Sequence, residues 1–393
     1  MCRWGSPLGK GISVWRDWIG PEIAAKNYVK RHTGRSPAVA VFWAVGLVRA
    51  MGDTIEKDAV VPGQSDSAAD DGASKTGTIT HKARKLRATP GWDRGDVSAM
   101  VSLALLWLPA WLLPEQLWSP LSRARIALGA LTGDSAIKRT AKSVGAALGE
   151  RDKARCLAIM REQKAAVHEM RLQDLRGWRP GGWSPEMRVE GEEHLQAALK
   201  RGKGVILWLA PFVFNSGPTK IALHQKGYRV SHLSSPKHGV SETRFGIKYL
   251  NGIRCVPEDR YLVDRIVFDR NAPSTAMRRM VRALKAGEVV SIVAASTEGY
   301  DMIQVPVFGG RLPVAVGAPR LAGLTGASLL PAFTVRDPKL GWRIAIEPPI
   351  GLAAGASSEE RCIAAATEFL RRSEPWVRQF PGQWRAWSKW RPN

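Results

Sequence analysis

The sequence predicts an α/β fold, in which a mostly parallel central sheet is flanked by helices and preceded by a hydrophobic anchor helix. Two features of the chain predict this fold. After residue 200, short apolar runs of strand length alternate with segments of helical periodicity. Before that region, an apolar run rich in Trp is followed by basic residues. Strands that alternate with helices are typical of a parallel sheet covered on both faces.

The composition favours a polyanionic partner. The 393 residues carry a formal net charge of +23 and include 16 Trp but only 5 Tyr. Such a charge suits nucleic acid, an anionic membrane surface or an acidic carrier protein. Trp is typical of places where apolar and wet regions meet, whereas nucleic-acid binders usually carry stacking Phe and Tyr in a basic face. We therefore expect an anionic membrane surface, and no nucleic acid, among the partners.

The four cysteines indicate neither a zinc site nor a disulfide framework. They are far apart in the chain, without a Cys-x-x-Cys pair or a ligand spacing to His. We interpret them as reduced thiols of a cytoplasmic protein.

The first 90 residues differ in composition from the domain predicted at 91–393. Within them, 62–78 is rich in Gly, Ser, Ala and Asp and has almost no large apolar side chain, which predicts a disordered linker. The apolar run 38–48 has eleven residues, too few to span a bilayer. It is either an interfacial helix or part of an extension that carries no function.

A second apolar run, 99–113, forms the core of a predicted membrane anchor at 95–118. The run holds fifteen residues and is broken by Pro109, whereas a spanning helix needs about twenty. We expect an in-plane or partly inserted helix; the alternative is an ordinary buried helix. Its aromatic side chains are expected at the membrane interface: Trp107, Trp111 and Trp118. Basic residues follow closely, which predicts that this side faces the cytoplasm.

The remaining elements follow the same two periodicities. Residues 152–175 place apolar side chains at three-to-four spacing and predict a helix. The predicted strands are 205–210, 228–233, 289–294, 328–333 and 342–346. The predicted helices among them are 215–225, 274–286, 315–324 and 358–372.

Several segments in succession resemble one known family. They are 190–195 (EGEEHL), 202–207 (GKGVIL), 305–311 (VPVFGGR), 317–327 (GAPRLAGLTGA) and 380–387 (FPGQWRAW). Their order and spacing, from about 95 to 391, resemble the lipid A late acyltransferases and the similar phosphatidylinositol mannoside acyltransferases. The resemblance implies a glycerolipid acyltransferase-like fold on the cytoplasmic face of a bacterial inner membrane, in contact with anionic lipid.

The activity that the resemblance implies is transfer of a fatty acyl group. The donor would be an acyl carrier protein or CoA thioester, and the acceptor a lipid, a sugar or an amine. Neither a metal nor a redox cofactor is implied. The closing segment, with Trp376, Trp384, Trp387 and Trp390 among basic residues, is expected to add to membrane binding.

The catalytic pair of the family is missing from this chain. The family has a His just after the first core strand, followed five positions later by Glu or Asp, so that the imidazole deprotonates the acceptor hydroxyl and the carboxylate orients the ring. Here Pro211 stands at the His position and Ser216 at the acid position. None of the seven histidines is followed by an acid at that spacing.

Three interpretations of this replacement remain open. The domain is a pseudoenzyme that binds a lipid or a carrier protein, or catalysis uses other groups, or another histidine substitutes. In the second interpretation, Asn215 and Ser216 at a helix start orient the acceptor or bind the oxyanion; their alternative role is helix capping. In the third, the candidates are His224, His232 and His238, the last sharing a helix face with Glu242.

The predicted acceptor-binding residues lie further along the chain. The segment 296–301 (STEGYD) resembles the Glu-Gly block with which glycerolipid acyltransferases bind a phosphate-bearing acceptor, although a solvated loop is the simpler interpretation. Arg270, together with Arg278 and Arg279, is placed to meet a phosphate or phosphopantetheine group. The full set of predicted binding residues is Glu298, Gly299, Asp301, Arg270, Gly309, Gly310 and Arg311.

Overall fold

The computed structural model describes residues 79–81, 89–129, 135–268, 272–294, 301–353 and 355–393. All of them belong to one compact unit, 62–393. The linker predicted at 62–78 and the apolar run 38–48 lie outside the described residues. So do three of the predicted binding residues: Arg270, Glu298 and Gly299.

The helices and strands that were predicted after residue 200 begin and end close to the predicted positions, apart from longer extensions of β9 and α10, whereas α7, β5, β7, β8 and β11 were not predicted. The helices are α1 (Arg94–Leu112), α2 (Trp118–Gly129), α3 (Ser135–Leu148), α4 (Lys153–Arg176), α5 (Glu192–Lys200), α6 (Gly217–Gln225), α7 (Gly252–Asp259), α8 (Pro273–Lys285), α9 (Gly317–Thr325) and α10 (Ser358–Gln379). The strands are β1 (Ile79–His81), β2 (Met187–Glu190), β3 (Val205–Leu209), β4 (Val230–Ser234), β5 (Asp264–Val267), β6 (Val289–Val293), β7 (Asp301–Val307), β8 (Gly310–Ala315), β9 (Ser328–Asp337), β10 (Gly341–Ile346) and β11 (Arg391–Pro392).

The larger sheet has seven strands in the order β2-β10-β9-β3-β6-β4-β5. Every neighbouring pair is parallel except the hairpin of β9 and β10. The predicted α/β fold with a mostly parallel sheet is therefore confirmed.

β3 is the centre of this sheet, and all five of its residues are buried. Because side chains alternate along a strand, Val205, Leu207 and Leu209 meet the helices α5 and α6 on one face. Ile206 and Trp208 meet α8, α9 and α10 on the other face. Helices cover both faces of the sheet, which explains why β3 is a continuous apolar run.

A second sheet of four strands, β1-β7-β8-β11, was not predicted. β7 and β8 form an antiparallel hairpin whose turn includes Phe308 and Gly309, both with positive φ angles of 53° and 66°. Such angles suit the tight turn of a two-residue hairpin. The hairpin side chains Val305, Leu312 and Val314 join the core on the α8 to α10 side of the larger sheet.

The helices α1 to α4 precede the strands of the larger sheet in the sequence, and α1, α2 and α3 all pack against α4. α1 begins with a capping box between Asp93 and Asp96 and runs for 19 residues, so that it is longer than the apolar run suggested. Among the helices of the described residues, it is the one that is long and apolar enough to cross a membrane. Its most apolar stretch of 18 residues has a mean hydropathy of 1.4, and 39% of that stretch is buried. A core helix passes the same test, so this finding is weak evidence for a membrane span.

Most of the Trp side chains expected at a membrane interface are buried in the core. Trp118 is fully buried, and Trp384, Trp387 and Trp390 are at most 3% exposed. Trp384 packs edge-on against Phe212 at 5.1 Å, between the closing segment and the end of β3. The prediction of an interfacial role for these four rings is wrong, because their large apolar area fills the core instead. Trp107 and Trp111 remain half-buried on α1.

Candidate active site

The segment after β3 contains Pro211 and Ser216, the two positions at which the resemblance places the family's catalytic pair. β3 ends at the carboxyl edge of the parallel strands, where open α/β sheets bind their ligands. Pro211 is buried there, and its carbonyl accepts a hydrogen bond from the Arg385 amide at 2.9 Å. The amide of Val213 donates to the Gln383 carbonyl at 2.8 Å. The closing segment of the chain therefore covers the position of the missing His.

Asn215 stabilises the turn between β3 and α6. Its side-chain amide donates to the Ala210 carbonyl at 3.0 Å, and its backbone carbonyl accepts from the Thr219 hydroxyl at 2.8 Å. The residue is 4% exposed. This geometry gives the Asn215 side chain a structural task, and a catalytic role for it stays a prediction.

Ser216 stands at the N-cap position of α6, but its hydroxyl does not cap the helix. Instead, Ser216 Oγ accepts a hydrogen bond from Lys220 Nζ at 2.7 Å and donates one to Glu258 Oε1 at 3.3 Å. Lys220 Nζ also lies 2.8 Å from Glu258 Oε2. Ser216 and Lys220 are one helical turn apart and therefore face the same side. We call these three residues the Ser–Lys–Glu cluster.

Three more basic side chains surround the carboxylate of the cluster. Arg254 Nε is 3.1 Å from Glu258 Oε1, Arg265 Nη2 is 2.9 Å from Oε2, and His238 Nε2 is 3.1 Å from Oε2. Glu258 and Arg254 come from α7, Arg265 from β5, and His238 from the loop after β4. One buried carboxylate thus meets two guanidinium groups and one ammonium group.

The charges of the cluster shift the pKa of each member. Burial alone raises the pKa of Glu258, but Lys220 and His238 outweigh it, and this pKa lies well below its usual value. Burial lowers the pKa of Lys220 to about 8, against the pull of Glu258 and with a further contribution from Arg265. Burial lowers the pKa of His238 to about 4. At neutral pH the carboxylate is ionised, His238 is neutral, and Lys220 is close to titration.

A narrow cavity reaches this cluster from the α4 side. Its volume is about 450 Å³ including the part that is open to solvent. The lining is apolar along its walls (Met170, Trp183, Val213, Phe214, Ile221 and Tyr261) and charged at one end (Asp174, Lys220, Arg254 and Glu258). The site is a slot with one polar end, typical of pockets that bind an apolar ligand with a polar head.

Two polar groups of the slot have no hydrogen-bond partner among the described residues. Gln173 is 5% exposed, and its Nε2 is buried without an acceptor. Asp174 keeps part of its surface exposed, but protein atoms surround its carboxyl group, and burial raises its pKa to about 7. A buried unpaired donor costs about 1–3 kcal/mol. These two groups therefore favour a polar ligand group in the slot.

The histidines are arranged differently from the prediction. His238 lies in a loop, so that it does not share a helix face with Glu242, and it contacts Glu258 instead. Glu242 pairs with Lys237 at 3.5 Å. His224 is exposed at the end of α6, and His232 is buried with Nδ1 at 2.8 Å from Ser291 Oγ. The predicted His238–Glu242 pair is wrong because the backbone turns between them.

The predicted binding residues on the hairpin lie in the four-stranded sheet. Asp301 begins β7 and forms an ion pair with Arg320 of α9. Gly309 is in the hairpin turn, and Gly310 and Arg311 begin β8, where they pair with β11. Ser216, in contrast, follows a strand of the other sheet. The slot is not lined by these hairpin residues, and their role in binding stays a prediction.

Two members of the cluster were missed by sequence reasoning, Lys220 and Glu258. The Ser-x-x-x-Lys spacing was visible, and in a predicted helix it places both side chains on one face. Glu258 is far away in the sequence. A charged residue with Arg and Asp neighbours usually indicates a solvent-exposed helix face, so its burial was not expected. In the part of the chain that the structure describes, no group of three His, Cys, Asp or Glu side chains is arranged to hold a metal ion.

The fold and this site define an α/β protein with a mostly parallel sheet and a buried polar cluster near the carboxyl end of its central strand. Residues 254–390 match the family described as bacterial lipid A biosynthesis acyltransferase, and this match supports the predicted resemblance to a lipid A acyltransferase-like family. The matched region includes Arg254, Glu258 and Arg265 but begins after Ser216 and Lys220. No curated protein matches the chain significantly.

Proposed function

We propose that the protein is a membrane-associated acyltransferase that moves a fatty acyl group from an acyl carrier protein or CoA thioester to a lipid, sugar or amine acceptor. The observation that carries this proposal is the Ser–Lys–Glu cluster at the end of β3, where the family has its catalytic pair. The family match supports acyltransferase-like activity.

The geometry supports a base that differs from the family imidazole. Lys220 is buried, and with a pKa of about 8 a useful fraction of it is neutral at neutral pH. Its Nζ is directed at a hydroxyl, that of Ser216, and it lies at the polar end of the slot. The apolar walls suit the first carbons of an acyl chain. Because the slot is narrow, donor binding requires that its walls move apart.

The membrane association that we propose depends on α1. One face of this helix packs on α4 through Leu103 and Leu106, whereas the opposite face exposes an apolar stripe: Val97, Val101, Leu105, Leu108 and Leu112, which are 38–73% exposed. A continuous apolar stripe on a surface helix favours contact with a membrane or a partner. The net charge of +23 favours the anionic cytoplasmic face of the inner membrane and, equally, an acidic carrier protein.

The alternative is a non-catalytic lipid- or carrier-binding protein of the same fold. The observation in its favour is the replacement of the His by Pro211, which lies buried beneath the closing segment. In this case the ionic cluster would only hold α6, α7 and β5 together.

Acyl transfer by the purified full-length chain distinguishes the two functions. Radiolabelled acyl-carrier-protein and acyl-CoA donors are incubated with the protein and a bacterial membrane extract, and the label in extracted lipid is measured. We expect transfer by the wild type and a loss of about 100-fold or more in Lys220→Met, since a general base contributes this much.

Lys226→Met is the matched control for this experiment. Lys226 directly follows α6 and makes only a surface ion pair with Glu192 at 2.6 Å. Its replacement should leave transfer unchanged. A wild type that binds donor but transfers no label from either thioester would support the binding protein and rule out the transferase.

A further inference from the structure

We propose that Ser216 is a nucleophile and Lys220 its general base, so that acyl transfer passes through a covalent acyl-Ser216 intermediate. This inference rests on the proposed acyltransferase function. The inference goes beyond that function in one respect. The acyl group is held on the protein before the acceptor arrives, instead of moving directly from the thioester to the acceptor.

The first argument is the contact geometry. The Ser216 hydroxyl is not used to cap α6, although its position is the one at which Ser usually caps a helix. Its Oγ lies 2.7 Å from Lys220 Nζ, within the distance over which a base takes a proton. Glu258 contacts both atoms, at 3.3 Å from Oγ and 2.8 Å from Nζ. This is the arrangement of a nucleophile, a base and a third group that orients the base.

The second argument is the balance of charge around Lys220. Arg254 and Arg265 already contact the Glu258 carboxylate, and both stay charged because a guanidinium does not deprotonate in proteins. Lys220 is therefore a third cation beside one ionised carboxylate, in a site where all four groups are buried or nearly so. Of the three cations it is the one that loses its proton most readily. A neutral amine at this place lies 2.7 Å from the serine oxygen, close enough to accept the hydroxyl proton once the hydroxyl turns away from Glu258.

The third argument is access to the substrate. Lys220, Glu258 and Arg254 line the polar end of the slot, next to the unpaired amide of Gln173. Ser216 does not line the slot and is 3% exposed, but it contacts two of the lining groups, so the proposed attack requires that the walls move apart and open the slot to its hydroxyl. A thioester whose acyl chain follows the apolar walls then has its carbonyl at the polar end.

The proposed reaction balances in protons and bonds. In the first half, Ser216 Oγ attacks the thioester carbonyl while neutral Lys220 takes its proton, a C–O bond forms, the C–S bond breaks, and the ammonium returns the proton to the leaving thiolate. In the second half, the acceptor hydroxyl or amine gives its proton to Lys220 and attacks the acyl ester. The ester C–O bond breaks, and Ser216 recovers the proton. Glu258 is a positioning residue in both halves.

The test is incubation of the full-length protein with a purified acyl-carrier-protein or acyl-CoA thioester in the absence of acceptor. After acid quenching, intact mass spectrometry measures the mass of the chain, and peptide mapping locates any added acyl group. We expect one acyl group per chain, located on Ser216. Addition of a membrane extract should then release it into lipid.

Three variants and one control variant separate a covalent role from a structural one. Ser216→Ala should give no adduct, whereas Ser216→Cys should give a thioester adduct that neutral hydroxylamine cleaves. Lys220→Arg keeps a cation beside Glu258 but is no base, so that acylation should slow by about 100-fold or more. Ser291→Ala removes another buried hydroxyl, which contacts His232, and should leave the adduct intact. Thermal unfolding of each variant checks that it is folded.

The possible outcomes distinguish this inference from the proposed function. If the wild type transfers label to lipid without any adduct during the first turnover, and Ser216→Ala keeps the rate, transfer is direct and the inference is wrong. An adduct on another residue also overturns it. If neither an adduct nor transfer occurs with any donor, both the inference and the acyltransferase function are wrong.

Discussion

Lys220 is the residue on which the proposed chemistry depends most. The titratable and charged groups around it come from α4 (Asp174), from α7 (Arg254, Glu258 and Asp259), from β5 (Arg265), and from β4 and the loop after it (His232 and His238). Burial and the two Arg side chains favour neutral Lys220, whereas Glu258 favours the charged form. The net effect is a pKa of about 8, close enough to neutral pH for the amine to act as a base.

The first prediction concerns the pH dependence of acyl transfer. Because the active form is neutral Lys220, the rate should rise about tenfold per pH unit below its pKa and level off above about pH 8. Single-turnover rates between pH 5.5 and 9.5, corrected for thioester hydrolysis without protein, measure this profile. A rate that is flat across the range, or that falls as the pH rises, would contradict a lysine base.

The second prediction concerns Asp174 and stability. Its pKa is raised to about 7 in the folded protein, so that the folded chain binds more protons than the unfolded chain between about pH 4 and pH 7. Stability should therefore fall as the pH rises through 7. Asp174→Asn removes this charge, and at pH 8 it should be more stable than the wild type by on the order of 1 kcal/mol. At pH 4 the difference should disappear.

Thermal unfolding in parallel at pH 4, 6 and 8 tests this second prediction, with Asp259→Asn as the matched control. Asp259 is on the neighbouring α7 and contacts Arg265 at 2.6 Å, so that its removal loses an ion pair. A lower midpoint for Asp174→Asn at pH 8 would mean that its carboxylate contributes to stability after all.

At the scale of single residues, the sequence singled out Ser216 but not the side chains that contact it, and a functional role for this position stays a prediction. Pro211 and Ser216 were located by their distance from the first core strand, because strand ends are visible as changes in periodicity. Glu258 joins them only through the packing of α7 against α6, which no local pattern reports. The burial of Lys220 was equally hidden, because Lys is almost never fully buried unless it is paired.

Among the elements, α1 differs from the other helices in having two apolar faces. The buried face packs on α4, and its ends are fixed by polar contacts: Asp96 accepts from the Thr243 hydroxyl at 2.8 Å, and Arg176 donates to the carbonyls of Ala110 and Leu113. The exposed face has no such contacts among the described residues. An exposed apolar stripe of this size is unusual in a soluble monomer.

The third prediction uses this exposed face. The triple variant Leu105→Ser, Leu108→Ser, Leu112→Ser should lose the salt-resistant part of its binding to anionic vesicles, by on the order of 100-fold in the partition coefficient. Its thermal midpoint should stay nearly unchanged, because these side chains are 65–73% exposed. Sedimentation with vesicles at low and high salt measures both parts of the binding.

Leu324→Ser with Leu340→Ser is the control for the anchor variant. These residues are also exposed, at 69% and 50%, but lie outside the α1 stripe. They should leave vesicle binding unchanged. If the wild type stays in the supernatant at low salt, α1 does not bind membranes, and its stripe serves another partner.

The hairpin of β7 and β8 shows why one element escaped prediction. β7 alternates buried and exposed residues, but its alternation includes Pro306, and Pro is disfavoured in central strands. The turn contains Phe308 at a positive φ, where Gly or Asn is usual. Without the usual turn residues, the segment 305–311 was not predicted to be a hairpin. It was recognised only as one of the motifs that resemble the acyltransferase family.

In the whole molecule, the boundary expected at residue 90 falls inside a set of backbone contacts. β1 pairs with β7 across three residues, and the carbonyls of Pro90 and Gly91 accept hydrogen bonds from Arg244 and Phe245 at 2.8 and 2.9 Å. Residues before 91 therefore contribute to the same unit as the sheet.

The fourth prediction compares two shortened chains, one beginning at residue 79 and one at residue 92. The longer chain should keep the thermal midpoint of the full protein. The shorter one loses the β1 pairing and two further hydrogen bonds, each worth about 1 kcal/mol, and should unfold several degrees lower while keeping its far-ultraviolet circular dichroism. Equal midpoints for the two chains would show that β1 adds nothing to stability.

The general architecture was the part of the structure that the sequence predicted best. Alternating strands and helices determine the class of sheet, because parallel neighbours need crossover helices. The order of the strands and the second sheet depend on contacts between distant residues, as does the burial of the Trp rings. For the same reason, the Trp-rich basic segment 371–393 was predicted to bind a membrane, whereas its Trp384, Trp387 and Trp390 side chains lie in the core.

The contact between the closing segment and the end of β3 also sets the order of events during synthesis. Phe212 emerges from the ribosome long before Trp384, with which it forms a β-bridge. Arg336 likewise emerges before Gln383, whose side chain accepts a hydrogen bond from the Arg336 amide. The sheet is thus able to form while the rim beside Pro211 is still open. Translation stalls or premature stop codons before residue 383 would yield chains with a formed sheet, exposed aromatic rings and an unfinished site, which are substrates for chaperones and proteases.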